Sequence, residues 1–410
     1  MTSSVPAYDV VVAGAGAVGL ALAASVKQAL GPGVSIALID PAAVPSPANA
    51  EPPLRAVAIA EGPRRLLERI GAWKAIEPNA QPILEMKVMD GGVRDAVRLP
   101  HLSFEPPGAD PLASMAFSSD VLASLSDLCE RLGVARIEGS VEGWRPLRHI
   151  GEIALAGSHT LRARLVVATD GARSRLRALA DIRTVGWDYD QCGIVATIAH
   201  ELDHEGRAEQ HFLPAGPFAI LPLPGRRSSI VWNEKRADAD ALLKLDPEDL
   251  VRQLEYRFTP KLGVIRLASR VEAFPLGFRI VRRFVGARLA LAGDAAHIVH
   301  PLAGQGLNLG LRDVAALAEV IVGEMRLGLD PGAPMPLGTY ERTRRFDVAA
   351  SGMGMDAMNR LFSNDVAPLR FMRDLGLRLV DHAPRLKNLL ISEAGGAGRS
   401  APRLLRGLPL

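Results

Sequence analysis

Residues 8–19 read Tyr8-Asp9-Val10-Val11-Val12-Ala13-Gly14-Ala15-Gly16-Ala17-Val18-Gly19, and this stretch decides the fold. The apolar run Tyr8–Ala13 is short and β-branched, as a buried strand is. It enters a glycine turn directly and continues into the Ala/Leu-rich segment Leu20–Leu30, which Gly31 ends. A second apolar strand, Val34–Ile39, closes on Asp40. Strand, Gly-x-Gly-x-x-Gly, helix, strand and acid make a β-α-β dinucleotide-binding unit. Gly14 permits the tight turn, Gly16 lets backbone approach a pyrophosphate, and Gly19 lets the helix pack on the strand. The free N–H groups and dipole at the helix start favour phosphate. Asp40 suits ribose hydroxyls without a 2′-phosphate, so FAD or NAD rather than NADP.

The chain has 410 residues, of which 48% are hydrophobic and 23% charged, which fits a soluble globular protein of two or three domains. A net charge of +3 makes no nucleic-acid footprint over the whole protein. The isoelectric point near 9.0 traces to the tail. From Leu361 to Leu410 there are eight basic and four acidic side chains, interleaved with Leu and Ile. That stretch reads either as a terminal helix packed on the body or as a surface that docks on anionic lipid or a partner. Two cysteines, Cys129 and Cys192, exclude a disulfide scaffold and point to a reducing, cytoplasmic setting. No apolar run is long enough to span a bilayer.

Arg64–Ile76 and Ser119–Leu132 have helical periodicity, and Leu165–Thr169 is a further buried strand. After residue 185 the texture changes. Gly193–Ala199, His211–Leu213, Phe218–Leu223 and Ser228–Trp232 are short, β-rich and punctuated, with a hairpin turn at Pro224–Arg227. Pro222 predicts an edge strand or a bulge. Arg288–Ala292 returns to buried-strand character, followed by a helix over Leu307–Val322.

Two more motifs carry chemistry. Asp170-Gly171-Ala172-Arg173-Ser174-Arg175-Leu176-Arg177 follows a buried strand, and its charge suits phosphates, with Ser174 a candidate helix cap. Gly293-Asp294 and then Pro301-Leu302-Ala303-Gly304-Gln305-Gly306 follow another strand. Asp294 at a strand end can take sugar-alcohol hydroxyls, while Gly304 and Gly306 let backbone approach a planar ring at a helix N-terminus. His297 and His300 are spaced three apart but lack a third ligand, so hydrogen bonding is favoured over a metal site.

These motifs, in this order, resemble the flavin-dependent aromatic hydroxylases of the p-hydroxybenzoate-hydroxylase fold. The C-terminal stretches Asn359–Asp365, Arg373–Leu377 and Pro402–Gly407 sharpen the resemblance to the ubiquinone-biosynthesis hydroxylases. The resemblance implies an α/β fold: a Rossmann-like FAD-binding domain, an inserted, mainly antiparallel β-sheet substrate domain and a helical C-terminus. The implied division is 1–75, 101–185 and 281–335 for FAD, 76–100 and 186–280 for substrate, and 336–410 for the helical region.

The resemblance further implies FAD held by Gly14, Gly16, Gly19, Asp40, Arg55, Asp170, Arg177, Gly293, Asp294, Pro301, Gly304, Gln305 and Gly306. Arg55 and Arg177 would meet pyrophosphate or nicotinamide. NADH or NADPH would act as a transient co-substrate, since no second Gly-x-Gly-x-x-Gly is present. O2 and a polyprenylated phenol would react through a flavin C4a-hydroperoxide, with no dedicated catalytic side chain and no metal. A biosynthetic complex and a peripheral seat on the inner face of the cytoplasmic membrane suit such a substrate. At Ser118-Ser119-Asp120 the chain has small polar residues and an acid in place of an Asn or Arg flavin contact. A prenyl reductase or other flavoenzyme on this fold, or a non-catalytic scaffold, is the alternative.

Overall fold

The computed structural model describes residues 7–41, 55–90, 102–106, 108, 110–157, 159–257, 261–299, 305–362, 391, 395–396, 398 and 400–410. The parallel core of its first sheet runs, in spatial order, Leu289–Leu291, His159–Ala168, Ala7–Ala13, Ile36–Asp40 and Ala135–Glu138, with Val285–Gly286, Gly151–Leu155 and Val141–Pro146 added antiparallel. Val10, Val11, Val12 and Ala13 are all buried, as a parallel strand covered on both faces requires. The crossover helix Ala17–Leu30 packs against Ser118–Arg131 and Gln305–Arg326. Gly31 closes it with φ +72° and its N–H on the Lys27 carbonyl.

The second sheet is built on the long strand Thr184–His200, flanked by Glu272–Val281 and Arg227–Lys235. Gly216–Leu223, Arg207–Leu213, Glu85–Asp90 and Leu102–Phe104 extend it. Every pairing is antiparallel except Arg207–Leu213 with Glu85–Asp90. The strand Leu102–Phe104, on the FAD side of the expected boundary at residue 101, thus belongs to this sheet. One face carries Ile194, Phe218, Ile230 and Trp232 under the helices Arg236–Leu242 and Pro247–Glu255. The other turns Ala208, Ala219 and Leu221 toward Ala58, Met115 and Phe117 of a small antiparallel sheet.

Two local expectations change. Arg64–Ile76 is not one helix but Glu61–Arg69 and a single turn, Trp73–Ile76. Gly71, at φ +83°, lets the chain reverse there, with its N–H on Glu68 O and that of Ala72 on Leu67 O. Pro222 lies in an interior strand, not at an edge. The ladder to Arg207–Leu213 ends at Ile220, so the missing N–H of Pro222 costs that ladder nothing. The turn after it is as expected, with Gly225 at φ +75°.

The helix Pro334–Phe362 follows, and residues 363–390, which carry most of the basic tail, lie outside the described residues. The extreme C-terminus packs on the body. Leu404 and Leu405 are buried, and the Arg403 N–H donates to Glu319 at 3.0 Å. No helix among the described residues is long and apolar enough to cross a membrane.

Asn308 ties the parts together. Its Nδ2 donates to Ala58 O at 2.8 Å and its Oδ1 accepts from Ala60 N at 2.9 Å, all of it buried. Replacing it by Leu leaves a buried donor and a buried acceptor unpaired, each at about 1–3 kcal/mol. The urea midpoint of Asn308→Leu should fall accordingly; an unchanged midpoint would show that this tie is dispensable.

Candidate flavin-binding site

The first two motifs meet in one cleft. It measures about 360 Å³ and is lined by Gly14, Gly16, Asp40, Gly139, Ser140, Asp170, Arg173 and Arg175, among others. The parallel strands bring these loops to their carboxyl ends, where such sheets open a crevice. The glycines divide by role. A Cβ on Gly14, at φ +109°, would sit 2.3 Å from the Thr169 carbonyl, and one on Gly19 would sit 2.0 Å from Gly14 O. Both are therefore demanded by the packing of strand, turn and helix. A Cβ on Gly16 or Gly306 meets nothing within 4 Å. Those two leave backbone bare toward open space, as a bound pyrophosphate or ring requires.

Asp40 accepts from Ala15 N at 2.7 Å, so it pins the glycine turn as well as edging the cleft. Asp170 Oδ2 accepts from Arg175 N at 2.7 Å and Leu176 N at 3.2 Å, while Oδ1 is buried without a partner among the described residues. Ser174 caps the helix Arg175–Leu179 by accepting from Arg177 N, as expected. Arg177 reaches across to the third motif. Its guanidinium donates to Ala295 O at 2.9 Å and Ala172 O at 2.8 Å, and burial lowers its pKa. The side chain thereby braces the second motif on the third.

Asp294 is reachable by solvent, yet the protein atoms crowded around it push its pKa up. His297 opposes that shift and Asp313 adds to it. Gly293, at φ +61°, turns the chain over Val18 of the first helix, 3.2 Å from where a Cβ would stand. Gln305 and Gly306 open the helix Gln305–Arg326, and both are part-exposed. Pro301, Gly304 and His300 lie outside the described residues. Arg55 lies elsewhere than beside the glycine turn. Its guanidinium stacks 3.9 Å from the Phe274 ring centroid and pairs with Glu272 at 3.8 Å, at the substrate-side sheet. Asp120, in the helix that departs from the expected pattern, accepts from Asn79 at 3.1 Å.

What the sequence reading missed is the support under the third motif. Asp313 is fully buried. Its Oδ2 accepts from Gly293 N at 2.8 Å and from His297 Nε2 at 2.7 Å, and its Oδ1 from Arg344 Nε at 2.6 Å. Arg344 also pairs with Asp347, and Tyr340 donates to Leu291 O at 2.8 Å. Burial alone would raise the Asp313 pKa; the facing His297 and Arg344 overturn this and hold it below 3.8. The visible signal was the acid closing Leu309-Gly310-Leu311-Arg312-Asp313. Its partner Arg344 lies 31 residues on, with no spacing rule to connect them.

A Rossmann-like frame, a phosphate cleft and a carboxylate turn at the next strand end define a flavin-binding enzyme. Residues 7–350 match the FAD binding domain family. The ubiquinone hydroxylase UbiL of Rhodospirillum rubrum is 42% identical, with 98% of this chain and 93% of that protein covered. The 3-demethoxyubiquinol 3-hydroxylase of Escherichia coli is 32% identical, with 95% and 98% covered. Ubiquinone biosynthesis monooxygenase COQ6 of Danio rerio is 30% identical, with 96% and 90% covered. A p-nitrophenol 4-monooxygenase of Pseudomonas putida shares the fold with a TM-score of 0.77 at 20% identity, covering 97% and 100%. The chain belongs to the FAD-dependent hydroxylases of ubiquinone biosynthesis, and it is a monooxygenase with FAD as its cofactor.

Asp313→Asn should leave the buried Arg344 with only the part-exposed Asp347 as counter-charge and cost about 3–5 kcal/mol. Because the Asp313 pKa is lowered on folding, its contribution is present above pH 3.8 and fades as pH falls through the lower folded value. Urea titrations at neutral pH and near pH 3 should show the variant's deficit shrinking with acid. A deficit that does not change with pH would contradict an ionised Asp313.

Proposed function

We propose that this enzyme hydroxylates the ring of a polyprenylated phenol, with NADH or NADPH as reductant and O2 as oxygen source. The observation that supports it most is the 42% identity to a ubiquinone hydroxylase along 98% of the chain. Bound FAD supplies the activation of O2 and the oxygen transfer. The chain's own residues bind, orient and shield. Gly14, Gly16 and Gly19 with Asp40 hold the ADP half, and Asp170, Arg173 and Arg175 border it. Gly293 and Asp294 take the ribityl chain. Gln305 and Gly306 offer the positive helix end to the pyrimidine edge of the ring, a contact to which the sequence motif also assigns Pro301 and Gly304. Arg177 holds the second and third motifs at a fixed separation through Ala172 and Ala295. Arg55 serves from the substrate side, where a cation beside an aromatic ring can meet a passing nicotinamide nucleotide. We assign 1–75, 105–185 and 281–335 to the FAD region, 76–104 and 186–280 to the substrate region and 336–410 to the C-terminal region.

A polyprenyl tail places the substrate in lipid, so the enzyme visits a membrane surface. The helix Pro334–Phe362 supports this. Met335, Phe346 and Met353 lie 11 and 7 residues apart on one helical face and are 83%, 80% and 59% exposed, with exposed Arg342 between them. An apolar stripe with an arginine on it suits an anionic bilayer surface. Membership of a biosynthetic complex is a further part of this reading.

Two measurements bear on it. Asp294→Ala should bind FAD about ten- to hundredfold more weakly, as expected for losing hydrogen bonds to a charged group. Near-stoichiometric FAD in the purified variant would remove Asp294 from the ribityl site. Phe346→Asp should sediment less with vesicles of anionic lipid while keeping its FAD; equal sedimentation would sink the membrane face.

A further inference from the structure

Two carboxamides on the substrate-side sheet are buried and unused. Gln210 and Asn233 are each 3% exposed. Gln210 Nε2 and Asn233 Oδ1 have no hydrogen-bond partner among the described residues. A buried amide without a partner costs stability, so its retention calls for a reason.

The sheet register places them together. Gln210 pairs with Ala219 and Ala219 with Val231, so Gln210 shares a face with Val231 and, two residues along that strand, Asn233. This is the face whose Ala208, Ala219 and Leu221 meet the nucleotide-binding half. Across from Asn233 stand Gly193 and then Phe274, which carries Arg55 over its ring. A Cβ on Gly193 would lie 3.5 Å from Asn233 Oδ1. Leu276 Cδ2 lies nearer still, at 3.2 Å, so the glycine lets an apolar side chain close in beside the unpaired oxygen. On the Gln210 side the face continues to Phe212, which joins a cluster that Met355 of the long C-terminal helix packs against. Met355 also packs against Phe278, Val299 and Leu309, at the start of the helix that Gln305 and Gly306 open.

The surface is thus apolar, lies between the sheet and that helix start, and carries one free acceptor and one free donor. The two amides are on strands two apart, about 10 Å across the sheet. That spacing accommodates a ring with an oxygen substituent directed to each side. Resting on the hydroxylase reading above, we propose that Asn233 and Gln210 bind the oxygen substituents of the substrate ring. Asn233 Oδ1 accepts from the phenol hydroxyl, and Gln210 Nε2 donates to a second ring oxygen, such as a methoxy group. Both are positioning residues that select an oxygenated ring over a hydrocarbon and set which ring carbon faces the flavin.

The test uses the full-length, FAD-loaded enzyme and three probes: a geranylated methoxyphenol, the geranylated phenol without methoxy, and geranylbenzene. Binding is read from the perturbation of flavin absorbance. Wild type should weaken about tenfold at each loss of an oxygen, because each loss leaves a buried amide unpaired. Asn233→Ala should close the gap between the phenol and the hydrocarbon. Gln210→Met should close the gap between methoxyphenol and phenol. Neither variant should lower the melting temperature appreciably, since each removes an unpaired polar atom; a purely structural role predicts a clear loss. Gaps that survive in both FAD-loaded variants would overturn the assignment while leaving the hydroxylase reading intact. A wild type that does not distinguish the three probes would overturn the substrate reading and this assignment with it.

Discussion

The Asp313 carboxylate is the point on which the flavin end of the molecule depends. It is buried, charged and fully used: by the backbone of Gly293, by His297 and by Arg344. Each partner belongs to a different piece of chain, namely the turn after the last parallel strand, the short strand that leaves it, and the C-terminal helix. A buried charge is tolerable only when its lone pairs are met, so the three pieces cannot drift apart singly. The cost of burying Asp313 therefore fixes the Gly293-Asp294 turn in place before any ligand arrives. Arg177 does the same from the other side by holding the Ala295 carbonyl. The Gly293-Asp294 turn is clamped from beneath and from beside.

The phosphate end rests on exclusion of volume rather than on charge. Gly19 lies against Gly14 O, and Gly14 lies against Thr169, so helix, turn and neighbouring strand touch through bare backbone. Thr169 completes the contact by donating its hydroxyl to Gly14 O at 2.8 Å. Only Gly16 faces open space. The familiar spacing of three glycines thus contains two packing requirements, at Gly14 and Gly19, and one position left open, at Gly16.

Much of this was legible in the chain, because motif chemistry is local. Strand, glycine turn, helix and acid lie within 33 residues, and hydrophobic period and glycine position identify them without tertiary knowledge. Ser174 as a cap is of the same kind. What escaped the sequence was set by distant partners. Gly71 looked like one residue in a helical period; only the reversal it permits shows that the helix stops. Pro222 argued for an edge strand, but the neighbouring ladder is simply shorter than the strand it flanks. The resemblance assigns Arg177 and Arg55 to pyrophosphate or nicotinamide, whereas their geometry depends on Ala295 and Phe274, more than 100 residues away in sequence. Asp313, Arg344 and Tyr340 form one network through tertiary packing alone.

Buried carboxamides in this protein differ in how they are met, and the contrast bears on where substrate is read. Both oxygens of Asp313 are met, although His297 Nδ1 beside it has no partner among the described residues, and Asn308 is engaged at both ends of its amide. There the polar atoms specify structure, and removing one should be felt as lost stability. On the interdomain face of the substrate sheet, Gln210 and Asn233 leave atoms unmet. Folding gains nothing from those atoms, since an apolar residue of similar shape would fill the site at lower cost. Asn308 shows that this fold can satisfy both ends of a buried amide, which Gln210 and Asn233 do not achieve. The asymmetry makes sense if their partners arrive with the substrate, and it places discrimination on the sheet while the oxygen chemistry stays with the flavin.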